Sequence, residues 1–476
     1  VAEALIGLEL HVRLATRTKL FCGCRVDPAA APNTRVCPVC AGLPGALPAP
    51  NAAAVRQGLR LAAALGCTVA PDSSFARKQY LYPDLPRNYQ ITQQARPLAR
   101  GGVLEFGDDL APGRLTLQGI HLEEDAGRSR SVHDGRVSVD LNRAGAPLAE
   151  IVTAPELRTG EEAYQVLRAL RRLLRWLDVS EARMEDGDLR CDANISLRGP
   201  DGAPGPRVEL KNLNTARGVA RALEFERARL HARLADGLAS VPETRAWNAE
   251  ARRTEPLRAK ETAADYRFLE DPDLPPLTGL DAAAELARRA LPELPGVRAR
   301  RLARLHGLEP ELLRAVTADR AACDRFEALA RYAGDARAAA RWCAGPVAAL
   351  ARERGAAVVP GAVRLARLLR LEAVGRVAPP QARALLPLLV DDPRDPLAVA
   401  AAHGLTVAVA GADLEALAAA VLAETPAQVS AYHGGKAALL GWFVGRVLAR
   451  VDGRADPAAV RAAVTRILTR GGPPSP

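Results

Sequence analysis

Several familiar signatures are missing from this chain of 476 residues. No apolar run reaches the ~20 residues needed to span a bilayer. Residues 1–14 alternate apolar and polar positions, unlike a signal peptide. A cytoplasmic protein with no membrane partner is the expectation. There is no GxxxxGK[ST] loop and no GxGxxG motif following a strand, so any nucleotide site is of another kind. A Gly/Ser-rich amidase stretch with its serine nucleophile is absent, as is an N-terminal cysteine, which argues against glutaminase chemistry within this chain. No tandem repeat is evident. Lysine is scarce, with five residues against 60 arginines, and the eight asparagines end at Asn248. Against so strong an Ala/Leu/Arg bias, a retained lysine or asparagine marks a position where arginine or aspartate does not serve.

What is present is ordinary in bulk: 48% hydrophobic and 25% charged residues, in a chain long enough for two or three domains. The net charge of +10 is uneven. Residues 281–476 hold 27 basic against 19 acidic residues, whereas residues 1–280 hold 38 against 36. A basic C-terminal part beside a near-neutral N-terminal part fits a nucleic-acid grip next to a separate chemical site.

Up to about residue 220 several segments alternate with the period of two expected of half-buried strands. Leu8, Leu10, Val12 and Leu14 form one face, with Glu9, His11 and Arg13 opposite. Residues 137–142, 188–197 and 208–211 share the design, an apolar face backed by acids, amides and single bases. An antiparallel sheet with one face open follows. A helix is expected over 160–178, opened by a Thr159/Glu162 capping box, and another over about 215–235. Beyond about 290 only helical periodicity remains, broken by Gly and Pro and ending in a Gly/Pro tail.

Four of the eight cysteines, Cys22, Cys24, Cys37 and Cys40, form a C-x-C and a C-x2-C pair within 19 residues. Four thiolates at this spacing suit a closed, structural zinc site rather than a disulfide framework. Glu9 and His11 point the same way on one strand. GIHLEEDAG (119–127) adds His121, Glu123, Glu124 and Asp125, and Glu150 and Asp192 lie on other segments. Such a carboxylate-rich face with one imidazole suits Mg²⁺ bridging to ATP phosphates. RKQYLYPDLPRNYQITQ (77–93) crowds tyrosines, Lys78 and Arg87 into a Pro-rich loop, suited to lining a polar path or to stacking on an RNA end. The segments MEDGDLRCDANIS (184–196), VELKNLN (208–214) and KETAADYRF (260–268) set further Asn, Arg, Lys and Glu beside turns or strand ends.

Read in order, GLELHVRL, FCGC…VCPVCAGLPGALP, RKQYLYPDLPRNYQIT, GIHLEEDAGR, DLNRAGAPLAEIV, GDLRCDANIS, VELKNLN, ETR and the C-terminal GGKAALLGWFVGRVL resemble the B-subunit (GatB) family of the bacterial tRNA-dependent amidotransferases. The archaeal E-subunit paralogue carries an inserted domain for which there is no room here. The resemblance implies an α+β fold: a cradle domain over 1–290 with antiparallel sheet, helices and a zinc loop, then an all-α domain over 291–402 and a YqeY-like tRNA-binding tail over 403–476. It implies a carbon–nitrogen ligase working in a heterotrimer with A (amidase) and C subunits. ATP and Mg²⁺ activate the side-chain carboxylate of Glu-tRNA(Gln) or Asp-tRNA(Asn), and ammonia arrives through a channel. Carried over by motif, Glu9, His11, Glu123, Glu124 and Lys78 are catalytic. His11, Glu124 and Glu150 ligate Mg²⁺, and the four cysteines hold Zn²⁺. Arg190, Asp192, Asn194 and Lys211 stand on the nucleotide side, Asp125 supports them, and Tyr80 and Tyr82 lie near the channel exit or acceptor end. A tRNA-binding scaffold without its own chemistry is the alternative.

Overall fold

The structure, a computed structural model, describes residues 2–27, 29–131, 136–199, 202–238, 240–259, 265–355, 358–406, 412–451 and 455–470. Lys260 and Glu261 of the KETAADYRF segment, and the Gly/Pro tail from 471, lie outside the described residues. Two compact units divide the chain, Val1–Arg300 and Arg301–Pro476. Among the described residues no helix is long and apolar enough to cross a membrane.

The first unit is built on a nine-stranded sheet. In chain order its elements are β1 (Ala4–Arg13), α1 (Ala52–Ala64), β2 (Asp72–Ser73), β3 (Ala76–Gln79), β4 (Tyr89–Thr92), β5 (Ala99–Arg100), β6 (Val103–Gly107), β7 (Pro112–Glu124), β8 (Arg128–Ser131), β9 (Val137–Asp140), β10 (Pro147–Thr153), α2 (Gly160–Trp176), β11 (Leu189–Leu197), β12 (Val208–Lys211), α3 (Ala216–Ala235), β13 (Glu243–Asn248) and β14 (Arg253–Ala259). The strand order is β14-β13-β12-β11-β1-β10-β7-β5, with β6 also on β7. All these pairings are antiparallel except β12 with β13. Helix α3 separates those two strands in sequence, and a parallel pair needs such a crossover. The sheet expected from alternation is therefore mixed at this edge.

Alternation sets the two faces. Leu8, Leu10 and Val12 of β1, Ile120 and Leu122 of β7, Ile151 of β10, and Cys191, Ala193 and Ile195 of β11 share one apolar core with α1, α2 and α3. Helix α2 begins where its capping box predicts: Thr159 Oγ1 accepts from Glu162 N at 3.2 Å, and Glu162 Oε2 accepts from Thr159 N at 3.1 Å. Val166, Leu167, Leu170 and Leu174 carry its buried stripe. Helix α3 starts on Thr215, whose side chain accepts from Gly218 N.

A three-stranded sheet of β15 (Leu269–Glu270), β3 and β4 brings Lys78 opposite Gln90, and β4 packs against β7. In the second unit the described residues are helical or irregular, without strands. One apolar cluster there joins helices Ala412–Ala423, Leu439–Arg450 and Pro457–Arg470 through residues such as Leu414, Phe443, Val447 and Val464.

Candidate functional site

The polar face of the sheet follows from register. His11 on β1 lies opposite Glu150 on β10 and Arg190 on β11, and Glu9 lies opposite Asp192. Glu150 is in turn opposite His121 on β7, and Leu148 opposite Glu123. Neighbours in register share a face. Chain-distant strands thereby deliver Glu9, His11, Glu123, Glu150, Arg190 and Asp192 to one side of the sheet. Lys78, Tyr80 and Gln90 come from β3, β4 and the turn between them. Together with Asp125, Arg207, Glu209, Lys211 and Tyr266 these residues line a cavity of about 380 Å³.

Charges of both signs alternate within it. His11 Nε2 stands 3.3 Å from Glu123 Oε1 and 3.9 Å from Glu150 Oε1. Lys211 Nζ donates to Asp192 Oδ2 at 2.8 Å and lies 3.5 Å from Glu209. Arg190 pairs with Asp125 at 2.6 Å, and Asn194 Nδ2 donates to Glu9 Oε1 at 3.0 Å. Lys78 Nζ sits 4.5 Å from the Tyr266 ring centroid, a cation–π contact. Burial pushes the Glu123 carboxyl up to about 7, with Glu150 adding to the rise and His11, Lys78 and Arg190 opposing it. Burial would lower the Lys211 ammonium, but the Asp192 carboxylate outweighs it and holds the group above its ordinary value.

Glu124 goes elsewhere. One residue beyond Glu123, it points to the other side of β7. Its carboxylate pairs with Arg87 and accepts from Ile91 N at 3.0 Å, while its carbonyl accepts from Gln90 Nε2 at 2.6 Å. The structure thus brings His11 and Glu150 together with Glu123, and gives Glu124 to the turn that carries β4. Tyr80 is drawn in through its hydroxyl, 3.3 Å from Gln90 Oε1, whereas Tyr82 is 53% exposed. Gln90, Arg207 and Tyr266 were not singled out by sequence. Gln90 and Tyr266 stood within polar segments and Arg207 just before one, but only the folding of distant segments together brings them to the cavity.

An apolar cavity of about 640 Å³ adjoins, sharing Glu9 and Arg207 with the polar cavity and lined further by Gly7, Val152, Pro155, Asn194 and Pro242. The polar cavity's donors are carboxylate oxygens with one imidazole, the set a hard cation takes while keeping its waters. Its lysines and arginines supply countercharge for phosphate.

The four cysteines form a second, separate centre. Their sulfurs lie within 4.8 Å of one another, the one such group of metal-ligating side chains among the described residues. Cys37 and Cys40 Sγ are 3.9 Å apart, close to the ~3.8 Å edge of a zinc tetrathiolate with ~2.3 Å bonds. The Cys40 thiol is held down to about 4, chiefly by the hydrogen bond it accepts from Cys22 and against the opposing effect of burial. The Cys37 N–H and the Lys19 ammonium add to that lowering. Burial pushes the Cys24 thiol up to about 11. Four sulfurs at this separation fit zinc in both donor type and spacing.

Comparison with known proteins adds an independent finding. The family described as the GatB/GatE catalytic domain matches residues 4–284, and the family described as the GatB domain matches residues 324–468. A protein of Thermomicrobium roseum, named as the B subunit of an aspartyl/glutamyl-tRNA(Asn/Gln) amidotransferase, is 44% identical, covering 98% of both chains. Proteins of the same name from an Anaeromyxobacter species and a Synechococcus species are 43% and 40% identical, with 98% of this chain covered in each case and 98% and 97% of theirs.

Proposed function

This chain belongs to the GatB/GatE catalytic-domain family, and from that membership we propose that it is the B subunit of a glutamine-dependent tRNA amidotransferase acting on Glu-tRNA(Gln), Asp-tRNA(Asn) or both. Its partners are an amidase A subunit, which releases ammonia from glutamine, and a C subunit. The observation that carries the reading is the polar cavity, where acids, one imidazole and several bases converge from separate segments onto one face of the sheet.

The chemistry asks for such a mixture. A carboxylate is a poor acyl donor because oxide would have to leave. Transfer of the γ-phosphoryl group of ATP to the side-chain carboxylate gives an acyl phosphate and ADP. Ammonia then attacks the acyl carbon, the C–O bond to phosphate breaks, and the amide and inorganic phosphate result, phosphate or a nearby base taking the proton. Arg190, Lys211 and Lys78 offset the charge of phosphate and carboxylate as they approach. Asp192 and Asn194 hold Lys211 and Glu9 in place. Glu9, His11, Glu123 and Glu150 would hold Mg²⁺, which supplies further charge neutralisation between the two anions. With Glu124 engaged by Arg87, Glu123 takes its place in this ligand set, and Glu124 supports it by fixing β4. The four cysteines would hold structural zinc. Residues 291–402 form the helical domain. Residues 403–476 form the tail that grips the tRNA body, in keeping with Arg446 lying 5.7 Å from the Trp442 ring, which is 39% exposed.

The test is ATP-dependent transfer of ammonia to Glu-tRNA(Gln) by the assembled complex, with ammonium chloride in place of glutamine. His11→Ala and Glu123→Gln are expected to slow Gln-tRNA formation by about 100-fold or more while tRNA binding stays unchanged. Parent-like rates in both variants would overturn the proposal and leave a scaffold in its place.

A further inference from the structure

Lys19 is fully buried, a rare state for this residue type unless its charge is partnered. Its ammonium donates to three acceptors: Arg35 O at 2.8 Å, Leu141 O at 3.2 Å and Cys40 Sγ at 3.3 Å. The first and third belong to the cysteine loop. The second belongs to the segment between β9 and β10. One cation therefore touches the four-cysteine centre and a different part of the chain at once.

That second part is bolted to the loop at several points. Asn33 donates to Val139 O at 2.9 Å and accepts from Leu141 N at 2.8 Å. Asn142 accepts from Arg35 N at 2.8 Å and donates to Ala31 O at 2.7 Å. Leu20 N donates to Gly145 O at 2.8 Å. Gly145 has φ +85, and the Cβ it lacks would stand 3.4 Å from Lys19 Cδ, so the lysine stem lies against it.

The same segment holds a wall of the polar cavity. Gly145 N donates to Asp125 O, and Asp125 N donates to Ala146 O, each at 2.8 Å. Arg143 donates to Ala126 O at 2.9 Å and Gly127 O at 2.6 Å. Asp125 pairs with Arg190, and both line the cavity. An unbroken series of contacts thus runs from Cys40 through Lys19, Leu141 and the 142–146 turn to Asp125 and Arg190.

We infer that Lys19 is a positioning residue with two duties: it supplies the countercharge that helps the four-cysteine centre keep its metal, and it pins that centre to the segment that sets Asp125 and Arg190. Four thiolates around a divalent cation carry two negative charges, and a buried ammonium 3.3 Å from one sulfur offsets half of that. Removing a partner of this kind from a metal ligand weakens metal binding by roughly 10–100-fold. The metal loop then acts as a brace for the cavity rather than as an isolated staple. The inference rests on metal binding by the cysteines and is independent of the amidation reading.

The experiment uses the full chain and zinc alone. Zinc content and competition with a chelator are measured for the parent and for Lys19→Met, and amide hydrogen exchange is followed with both zinc-loaded. The parent is expected to hold one zinc per chain. Lys19→Met is expected to hold it about 10–100-fold less tightly and to exchange faster over 122–127 and 139–146, with α2 unchanged. Should Lys19→Met fail to fold, Asn142→Ala removes the Arg35 and Ala31 bonds without touching the cysteines or Lys19 and is expected to raise exchange over the same two segments. Parent-like zinc affinity in Lys19→Met, or unchanged exchange over 139–146 in whichever variant folds, overturns the inference. A parent chain that binds no zinc overturns it too, at its premise, and leaves the amidation reading standing.

Discussion

The four-cysteine centre and the acidic cavity both gather potential metal ligands, yet they do so in opposite ways. The cysteines come from one loop, and their sulfurs lie within 4.8 Å of one another. Four sulfurs fill a tetrahedral shell, so a metal placed there is closed off and has no position for substrate. The cavity draws its donors from several strands, spaces them with bases, and pairs its acids: Asp192 with Lys211, Asp125 with Arg190, Glu123 with His11. Its charges are balanced among themselves but rearrangeable, as a site must be if a triphosphate and a carboxylate are to enter. A closed shell stabilises a fold. An open, mixed-charge face performs chemistry.

The sharpest way to break this contrast is to remove one ligand from the closed centre. Cys40→Ser is expected to lose nearly all bound zinc, read by metal analysis, and to lower the melting temperature of the first unit, because the metal's binding energy is part of the loop's folding energy. Activity in the ammonium-driven assay should fall both with the folded fraction and with the loosening of the brace on Asp125 and Arg190. A variant that keeps its fold and zinc but loses catalysis would move the cysteine centre into the chemistry and erase the distinction.

A smaller effect probes the cavity. Lys211 sits 2.8 Å from Asp192, and in the proposed function it meets phosphate. Hydrogen bonds to charged groups contribute about 1.5–3 kcal/mol, so Lys211→Met is expected to raise the KM for ATP by roughly 10-fold or more, with zinc content unchanged. An effect on kcat alone, with KM for ATP held, would place Lys211 away from the nucleotide.

The two centres also differ in how far the sequence announced them. The cysteine spacing is local, so the loop's ligand group was legible before any fold. The strand faces were legible as well: Leu8, Leu10 and Val12 are buried, and Thr159 with Glu162 caps α2 as their spacing requires. The few lysines and asparagines kept in so Arg-rich a chain stand at telling positions. Lys19, Lys78 and Lys211 stand at the two centres, where a compact point charge differs from a guanidinium fork. Asn33, Asn88 and Asn212 have φ near +60°, the left-handed region that asparagine tolerates better than most residues. What could not be read was long-range. Period two says that Glu123 and Glu124 face opposite ways, but not which of them faces His11. Register between β7, β10 and β1 decides that, and register is set by the whole sheet. The parallel β12/β13 pair escaped because Glu243–Asn248 shows no alternating pattern that was read as a strand, so the helix between the two did not stand out as a crossover.

The smallest expected effect concerns Glu123 itself. Its carboxyl is buried, and burial raises it from the ordinary 4.5 to about 7 in the folded chain. For an acid with a raised folded-state value, the folded state binds the proton more tightly than the unfolded state, so stability falls as pH rises between those two values. Below about 4.5 both states are protonated and Glu123 costs nothing, and above about 7 the full cost is present. Glu123→Gln keeps the shape and discards the charge. Its melting temperature is therefore expected to match the parent near the low end of that window and to exceed it by roughly 2–5 °C at about pH 8, in scans without added Mg²⁺. Added Mg²⁺ should narrow the gap by stabilising the parent alone, because a cation binding the ionised carboxylate restores what desolvation takes away. Zinc should leave the gap unaltered, since the sulfur centre does not touch Glu123. A gap that stayed constant across pH would mean that His11 already neutralises Glu123 in the folded chain, and the cavity would then be as closed a pair as the cysteines are a closed shell.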